Sequence, residues 1–229
     1  MMLAAVSAEA LDRIAAARSL LRSIDAREQA TPGDDASRSA KGMLFVQNYA
    51  VYEYVVVESV RTLVANVNAR SLTFASTRPE LLGMALDAEF KSIIDGSPKK
   101  TWDGRSLLLG KARSADPVAI REGLFPKDGT HFRPGQLETI WNLFGVPGPI
   151  VPAERLRGHI EEIVNTRNRI AHGSDAPARV GGAFSVADLK KRIDDTEAVC
   201  AHIMLSVAAY VDNALAFTWA EEGRATALP

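Results

Sequence analysis

Three side chains that suit phosphate chemistry lie close together in the sequence: Arg167, Asn168 and His172. On a helix, Asn168 and His172 would lie about 40° apart around the axis, and Arg167 about 140° from His172. Histidine exchanges protons near neutral pH, and a cation such as arginine stabilises charge on a phosphate. The three groups can border one shallow surface if the last helical turn loosens.

This combination suits cleavage of RNA without a metal ion. RNA carries its own nucleophile, the 2′-hydroxyl, so cleavage requires a proton acceptor or donor and a cation beside the crowded phosphate. His172 and Arg167 supply these, and Asn168 can orient the histidine or bind the phosphate. One copy of the chain supplies a single histidine here, so we expect a homodimer with a composite cleft.

A purely structural interpretation of the same residues remains open. Arg167 and His172 can cap helix carbonyls or pair with surface acids, and Gly173 can complete a Schellman-type helix stop. An arginine and a histidine at this spacing also occur by chance, so the spacing alone does not decide between the two interpretations.

The elements that position these residues are predicted to be helices, because apolar residues recur at three- and four-residue steps between breakers. The expected fold is all-α, an up-and-down helical bundle formed by a single domain over residues 1–229, with a tail at 223–229. Helices are predicted over 7–28 with Ser7 as N-cap, 41–69, 79–94, 136–144, 152–172 and 186 to about 222.

The helix over 41–69 is the most apolar stretch and is predicted to lie at the centre of the bundle. A carboxylate buried there needs a partner. Glu53 has two interpretations: it reaches solvent or a surface arginine, or it faces the active site or a partner subunit. On the second interpretation Glu53 is a supporting site residue, and Arg169 within the motif is another candidate.

Residues 97–135 contain many glycines and prolines and are predicted to form an irregular insertion of short helices and loops. Basic residues lie here beside Trp102, namely Lys99, Lys100, Arg105, Lys111 and Arg113. They form either an RNA-contacting surface or an ordinary solvated loop.

Composition narrows the remaining choices. The 229 residues include 27 basic and 28 acidic side chains, so no global positive charge attracts nucleic acid and any RNA binding must be local. The single cysteine, Cys200, excludes an intramolecular disulfide and indicates a reducing, cytoplasmic setting. We find no secretory signal, no stretch long enough to span a membrane, no trusted set of metal ligands and no cofactor-binding motif.

The segment from Leu156 to Gly173 resembles the signature of the HEPN superfamily. In that signature an arginine is followed by a polar residue, commonly asparagine, then by three further residues and a histidine. The helix before it, with Leu137, Ile140 and Phe144, and the long helix after it are similar to the RiboL-PSP and MAE-type HEPN-like nucleases. The resemblance covers about 137–217 well and the central helix more loosely, and it leaves 97–135 unmatched.

This resemblance implies an all-α bundle that dimerises through the motif helices and acts as a metal-independent endoribonuclease. The implied settings are toxin–antitoxin systems, phage defence or RNA processing, with RNA as substrate and an antitoxin or sensor protein as a further partner. Arg167 and His172 would be the catalytic pair and Asn168 the polar member of the motif. Some HEPN domains have lost catalysis, so the alternative is an inactive RNA- or protein-binding or dimerisation module.

Overall fold

A computed structural model describes residues 2–125, 132–213 and 218. The described part contains α-helices and two short 3-10 turns, at Phe74–Ser76 and Glu122–Leu124. The helices are α1 (Met2–Ala30), α2 (Asp35–Ala69), α3 (Pro79–Ala85), α4 (Asp87–Ile94), α5 (Pro98–Ala112), α6 (Pro134–Phe144), α7 (Arg155–Ala171), α8 (Pro177–Gly181) and α9 (Val186–Val211). Within these residues no strand forms, so the predicted all-α bundle is confirmed.

Helix α2 is the central element, as predicted, because α1, α7, α8 and α9 all pack against it. Many of its apolar side chains, including Phe45, Tyr52 and Leu63, are fully buried in the hydrophobic core. The helix begins earlier than predicted, at Asp35, because the Asp34 carboxylate accepts the backbone N–H groups of Ala36 and Ser37 at 2.9 and 3.1 Å.

Several predicted helix boundaries are wrong. Helix α1 already begins at Met2, so Ser7 lies inside it and is not its N-cap. The predicted helix over 79–94 is interrupted at Leu86, whose buried side chain packs into the core, and α4 restarts with carboxylates in its first turn. Helix α9 is capped by Ser185 but ends at Val211, well before the predicted end near 222. The tail over 223–229 lies outside the described residues.

The segment over 97–135 is more regular than predicted, because α5 is a helix of 15 residues within it. Gly104 allows α5 to approach α4 closely, since a Cβ atom there would lie 3.0 Å from Cγ1 of Ile93. Helices α4 and α5 form a hairpin beside the main bundle, and an ion pair between Lys111 and Glu89 joins them. Across the described residues we find no helix with the length and apolar character to cross a bilayer.

Candidate functional site

Helix α7 carries the predicted site residues at its C-terminal end. Apolar spacing predicts a core side of Leu156, Ile160, Ile163, Val164 and Ile170; the first four are buried, whereas Ile170 is partly buried and packs against the core. Arg167 continues this row beyond the last buried aliphatic side chain. The helix therefore directs its aliphatic residues into the bundle and brings Arg167 to the edge of the core.

The guanidinium of Arg167 is held between two neighbours. Its Cζ lies 4.9 Å from the ring centroid of Tyr49 on α2, a cation–π contact. Its Nη1 donates a hydrogen bond to Oδ1 of Asn168 at 3.1 Å. Arg167 is only partly exposed, and both contacts restrict its orientation.

Glu53 lies beside this pair and does not bind Arg167 directly. The Tyr49 hydroxyl donates to Oε1 of Glu53 at 2.9 Å. Burial, and then the nearby Glu53 carboxylate, raise the pKa of Tyr49, so its phenol stays neutral. Glu53 is partly exposed and contacts the candidate site only through Tyr49, so both interpretations of this residue stay open.

His172 occupies the other edge of the site. It caps the end of α7, where its backbone N–H donates to the carbonyl of Asn168 at 2.9 Å. The side chain of His172 is exposed and has no hydrogen-bond or ion-pair partner among the residues that the structure describes. On a regular helix, positions 167 and 172 are about 7.5 Å apart along the axis and about 140° apart around it. This spacing directs the two side chains to different sides of α7 within one copy of the chain.

Gly173 ends the helix, as predicted. Its φ angle of +72° is left-handed, and its N–H donates to the Ile170 carbonyl at 3.1 Å. Glycine adopts this conformation without the steric penalty of a side chain. The turn then leads directly from His172 into α8.

Arg169 helps to hold this turn, together with Asp175. The Asp175 carboxylate is almost fully buried and pairs with both Arg169 and Arg179. The backbone N–H of Asp175 also donates to the Arg169 carbonyl at 3.1 Å. Arg169 is thus engaged within the chain, which places it in support of the turn that carries His172.

Helix α8 is fixed against α2 through two glycines. A Cβ atom at Gly42 would lie 2.1 Å from the carbonyl oxygen of Pro177, and one at Gly181 would lie 1.9 Å from that of Arg38. The two backbones therefore meet without side chains between them. The turn that carries His172 therefore begins at α7 and ends at α8, and α8 is packed tightly on α2.

A further cation, Arg133, lies on the same side of α7 as Asn168 and His172. Its guanidinium pairs with Glu161 and donates to Oδ1 of Asn165 at 2.7 Å. Positions 161, 165, 168 and 172 follow helical steps of four, three and four residues, so they share one face. The neighbours of the candidate site that the motif does not indicate are therefore Tyr49, Arg133 and Asp175. Tyr49 and Arg133 are distant from the motif in sequence, whereas Asp175 follows His172 by three residues.

The remaining histidines do not join this site. His159 is buried, and its Nε2 lies 2.9 Å from the Thr196 hydroxyl. Desolvation lowers the pKa of His159 to about 4. His202 donates to the Pro149 carbonyl at 2.7 Å, and His131 lies outside the described residues. In the described part of the chain, no group of three or more His, Cys, Asp or Glu side chains is arranged to hold a metal ion.

Comparison with known protein families identifies one family that the chain matches. The family described as HEPN_MAE_28990-like HEPN matches residues 7–215, nearly the whole chain. Neither the curated proteins nor the solved structures include a significant match. The family match includes α1 and the segment over 97–135, which the motif-based resemblance did not cover. The chain belongs to the HEPN superfamily, in its MAE_28990-like family.

Proposed function

We propose that this protein is a metal-independent endoribonuclease that uses Arg167 and His172 on RNA. Family membership supports a nuclease or RNA-binding role, and the chain retains the Arg, Asn and His of the motif. One observation carries the proposal. Arg167 is fixed over Tyr49, while the side chain of His172, at the end of the same helix, is exposed and has no partner among the described residues.

The proposed reaction is attack by the 2′-hydroxyl on the adjacent phosphorus. The 2′-oxygen–phosphorus bond forms, the bond from phosphorus to the 5′-oxygen breaks, and a cyclic phosphate remains. One proton leaves the 2′-hydroxyl and one is delivered to the departing 5′-oxygen, which are transfers suited to a histidine. Arg167 stabilises the charge that accumulates on the phosphate oxygens.

The active unit is a homodimer in this proposal. A single copy separates Arg167 and His172 around the axis of α7, so a second copy related by a two-fold axis would complete the cleft. Each dimer would then contain two arginines and two histidines. Such a cleft forms only if the C-terminal ends of the two α7 helices meet.

The site is tested by incubating the full-length protein with a labelled single-stranded RNA in excess EDTA. We expect cleavage that leaves 2′,3′-cyclic phosphate and 5′-hydroxyl ends. An RNA with a 2′-deoxy substitution at the cleavage position should resist. Cleavage that stops on chelation, or that leaves 5′-phosphate ends, would contradict the proposed chemistry.

The composite cleft is tested by mixing two inactive variants, Arg167→Ala and His172→Ala. Mixed dimers retain one arginine and one histidine, so their activity should exceed that of either variant alone by about tenfold or more. If chain exchange is demonstrated and no activity returns, the arginine and histidine do not act across the interface.

The biological role in this proposal is that of a toxin or phage-defence effector, held inactive by an antitoxin or sensor protein. This part rests on family membership alone. Expression of the wild-type protein should arrest growth, whereas expression of His172→Ala should not. Equal toxicity of the two proteins would contradict a role that depends on RNA cleavage.

A second candidate is a non-catalytic module that binds RNA or a protein through the same surface. Family membership favours it as well, because an RNA-binding role fits the family, and an arginine and an exposed histidine can bind a phosphate without cleaving it. This candidate predicts RNA binding without turnover, with an affinity that His172→Ala leaves unchanged.

A further inference from the structure

A buried carboxylate holds two exposed arginines beside the turn that carries His172. Asp175 is 6% exposed and pairs with Arg169 from α7 and with Arg179 from α8. The side chains of Arg169 and Arg179 nevertheless remain 56% and 71% exposed. We call Arg169, Asp175 and Arg179 the arginine cluster.

The arginine cluster carries a net positive charge. Its two guanidiniums share one carboxylate, and no other acidic side chain in the described part of the chain pairs with either of them. Each guanidinium is a planar fork of N–H donors, and such forks bind phosphate oxygens by charge-assisted hydrogen bonds. Because both arginines are more than half exposed, part of each fork faces solvent and can reach an anion.

Both arginines extend from elements that are held in place. Arg169 lies in the last turn of α7, and its carbonyl accepts the backbone N–H of Asp175 at 3.1 Å. Arg179 lies on α8, where Gly181 meets the Arg38 carbonyl of α2 with no room for a side chain. The two guanidiniums therefore lose little further freedom when they bind a ligand, which favours binding.

Helical spacing places the arginine cluster next to His172. Residues three apart on a helix are surface neighbours, with Cβ atoms about 5–6 Å from each other, and Arg169 precedes His172 by three. Arg169 lies about 60° from His172 around the axis of α7, against about 140° for Arg167. The arginine cluster is therefore a second source of positive charge within one turn of His172.

The chemistry of the turn favours RNA over a protein as the ligand. Ala171, His172, Gly173 and Ser174 are all exposed, and none of them has a large apolar side chain. Protein interfaces depend on buried aromatic and aliphatic anchors, which this turn does not offer. An RNA chain carries a phosphate at every nucleotide, so a phosphate held at His172 has a neighbour that cations nearby can bind.

We propose that the arginine cluster binds the phosphate next to the scissile one in the RNA substrate. Arg169 and Arg179 donate to the oxygens of that phosphate, and Asp175 fixes the spacing of the two guanidiniums. The substrate is therefore an RNA chain with a further phosphate beside the one that is cleaved. This inference rests on the proposed ribonuclease function, and it assigns the arginine cluster to substrate binding and not to proton transfer.

The experiment measures the affinity of the full-length protein for a 2′-O-methylated single-stranded RNA, which resists cleavage because its nucleophile is blocked. Arg169→Gln combined with Arg179→Gln should weaken binding about tenfold or more. The slope of log affinity against log salt concentration should become shallower by roughly 0.7, the value for one lost phosphate contact to a single strand. Cleavage of an unmodified RNA in EDTA tests the proposed function separately.

A matched control lies at the other end of α7. Asp195 is 7% exposed and pairs with Arg155 and Lys191, whose side chains are 62% and 64% exposed. Positions 155 and 172 are about 25 Å apart along a regular helix. Arg155→Gln combined with Lys191→Gln removes the same charge far from His172, so the affinity for RNA and its salt dependence should stay unchanged.

Thermal unfolding verifies the fold of each variant. Arg179→Gln alone retains the pair of Arg169 with Asp175, and it should show a smaller loss of affinity and of slope. The proposal is overturned if the folded variants bind RNA as the wild type does, or if the two pairs of substitutions weaken binding equally. It is also overturned if affinity falls without a change in slope, which would indicate a distorted turn.

Inorganic phosphate distinguishes an RNA subsite from a general anion site. If the wild type binds inorganic phosphate at Arg169 and Arg179 while the double variant still binds RNA normally, the arginine cluster does not serve RNA and the proposal is overturned. Cleavage of RNA by the wild type together with that result would leave the proposed function intact.

Discussion

The guanidinium of Arg167 lies over the ring of Tyr49, 4.9 Å from its centroid. The two residues are separated by more than 100 positions in the sequence and belong to α7 and α2. Tyr49 is 1% exposed and is bonded to Glu53, so the ring is a rigid support in the core. The contact connects the motif to the most deeply buried helix of the bundle.

The ring of Tyr49 is expected to position Arg167 for catalysis. Tyr49→Leu should lower kcat for RNA cleavage by about two- to thirtyfold, because a cation–π contact is worth about 0.5–2 kcal/mol. Tyr49→Phe, which keeps the ring, should restore most of the activity. Single-turnover cleavage by folded protein measures both.

The control is Tyr54→Leu on α2, the helix that also carries Tyr49. It removes the cation–π contact of Arg13 on α1, whose Cζ lies 4.2 Å from the centroid of the Tyr54 ring. It should leave cleavage unchanged. If Tyr49→Phe is impaired as strongly as Tyr49→Leu, the hydroxyl bond to Glu53 matters and the ring does not.

Substitution by alanine should change the free energy of unfolding in opposite directions at two glycines of α7 and its C-terminal turn. Gly173 has a φ of +72° and Gly158 lies inside α7, and a Cβ atom at either position would meet no atom within 4 Å. Gly173→Ala should therefore cost about 1–2 kcal/mol through backbone strain alone. Gly158→Ala should stabilise the protein by about 0.5–1 kcal/mol through helix propensity. Urea denaturation measures both, and a shift of the same sign in both variants would contradict the left-handed stop after His172.

The buried carboxylate of Asp175 is expected to hold the turn that carries His172. Asp175→Asn retains the shape but removes the charge that Arg169 and Arg179 share. The free energy of unfolding should fall by about 1.5–3 kcal/mol, the range for a lost hydrogen bond to a charged group. Amide hydrogen exchange at His172 and Gly173 should accelerate as well. Unchanged exchange there would show that the turn does not need Asp175.

Much of the bundle could be predicted from the sequence because its signals are local. The apolar spacing of α2 and α7 and the glycine after His172 each act within a few residues. The fold class and the central position of α2 follow from these signals. The end of α9 at Val211 and the break at Leu86 do not, because apolar residues continue the helical spacing past both positions.

The surroundings of the motif could not be predicted in the same way. Tyr49 and Arg133 reach α7 only through packing between helices that are distant in the chain. Contacts between helices that are distant in the chain have no local signal in the sequence. Asp175 differs, because Arg169 and Arg179 lie six and four residues from it, and only the burial of its carboxylate comes from the fold.

Acid should destabilise the protein through His159. Its pKa is about 4 in the folded chain against 6.5 for the unperturbed side chain, so the unfolded state binds the proton more readily. The stability that neutral His159 provides is complete above pH 6.5 and is lost as the pH falls towards 4. The expected loss between pH 7.5 and pH 5 is about 2 kcal/mol.

This loss is measured by urea denaturation of the wild type and His159→Gln at both pH values. The glutamine can still donate to the Thr196 hydroxyl but does not titrate. The variant should therefore lose about 2 kcal/mol less of its free energy of unfolding between pH 7.5 and pH 5 than the wild type loses. Equal losses in the two proteins would show that another group controls the acid sensitivity.

The central claim is that Arg167 and His172 cleave RNA without a metal ion. The most direct measurement is the rate of cleavage in excess EDTA by the wild type, Arg167→Ala and His172→Ala, with Arg22→Ala and His202→Ala as controls. We predict that the wild type and both controls cleave, and that the two motif variants are slower by about 10²–10⁴-fold although thermal unfolding shows that both are folded. Cleavage at the wild-type rate by folded Arg167→Ala and His172→Ala would contradict the account.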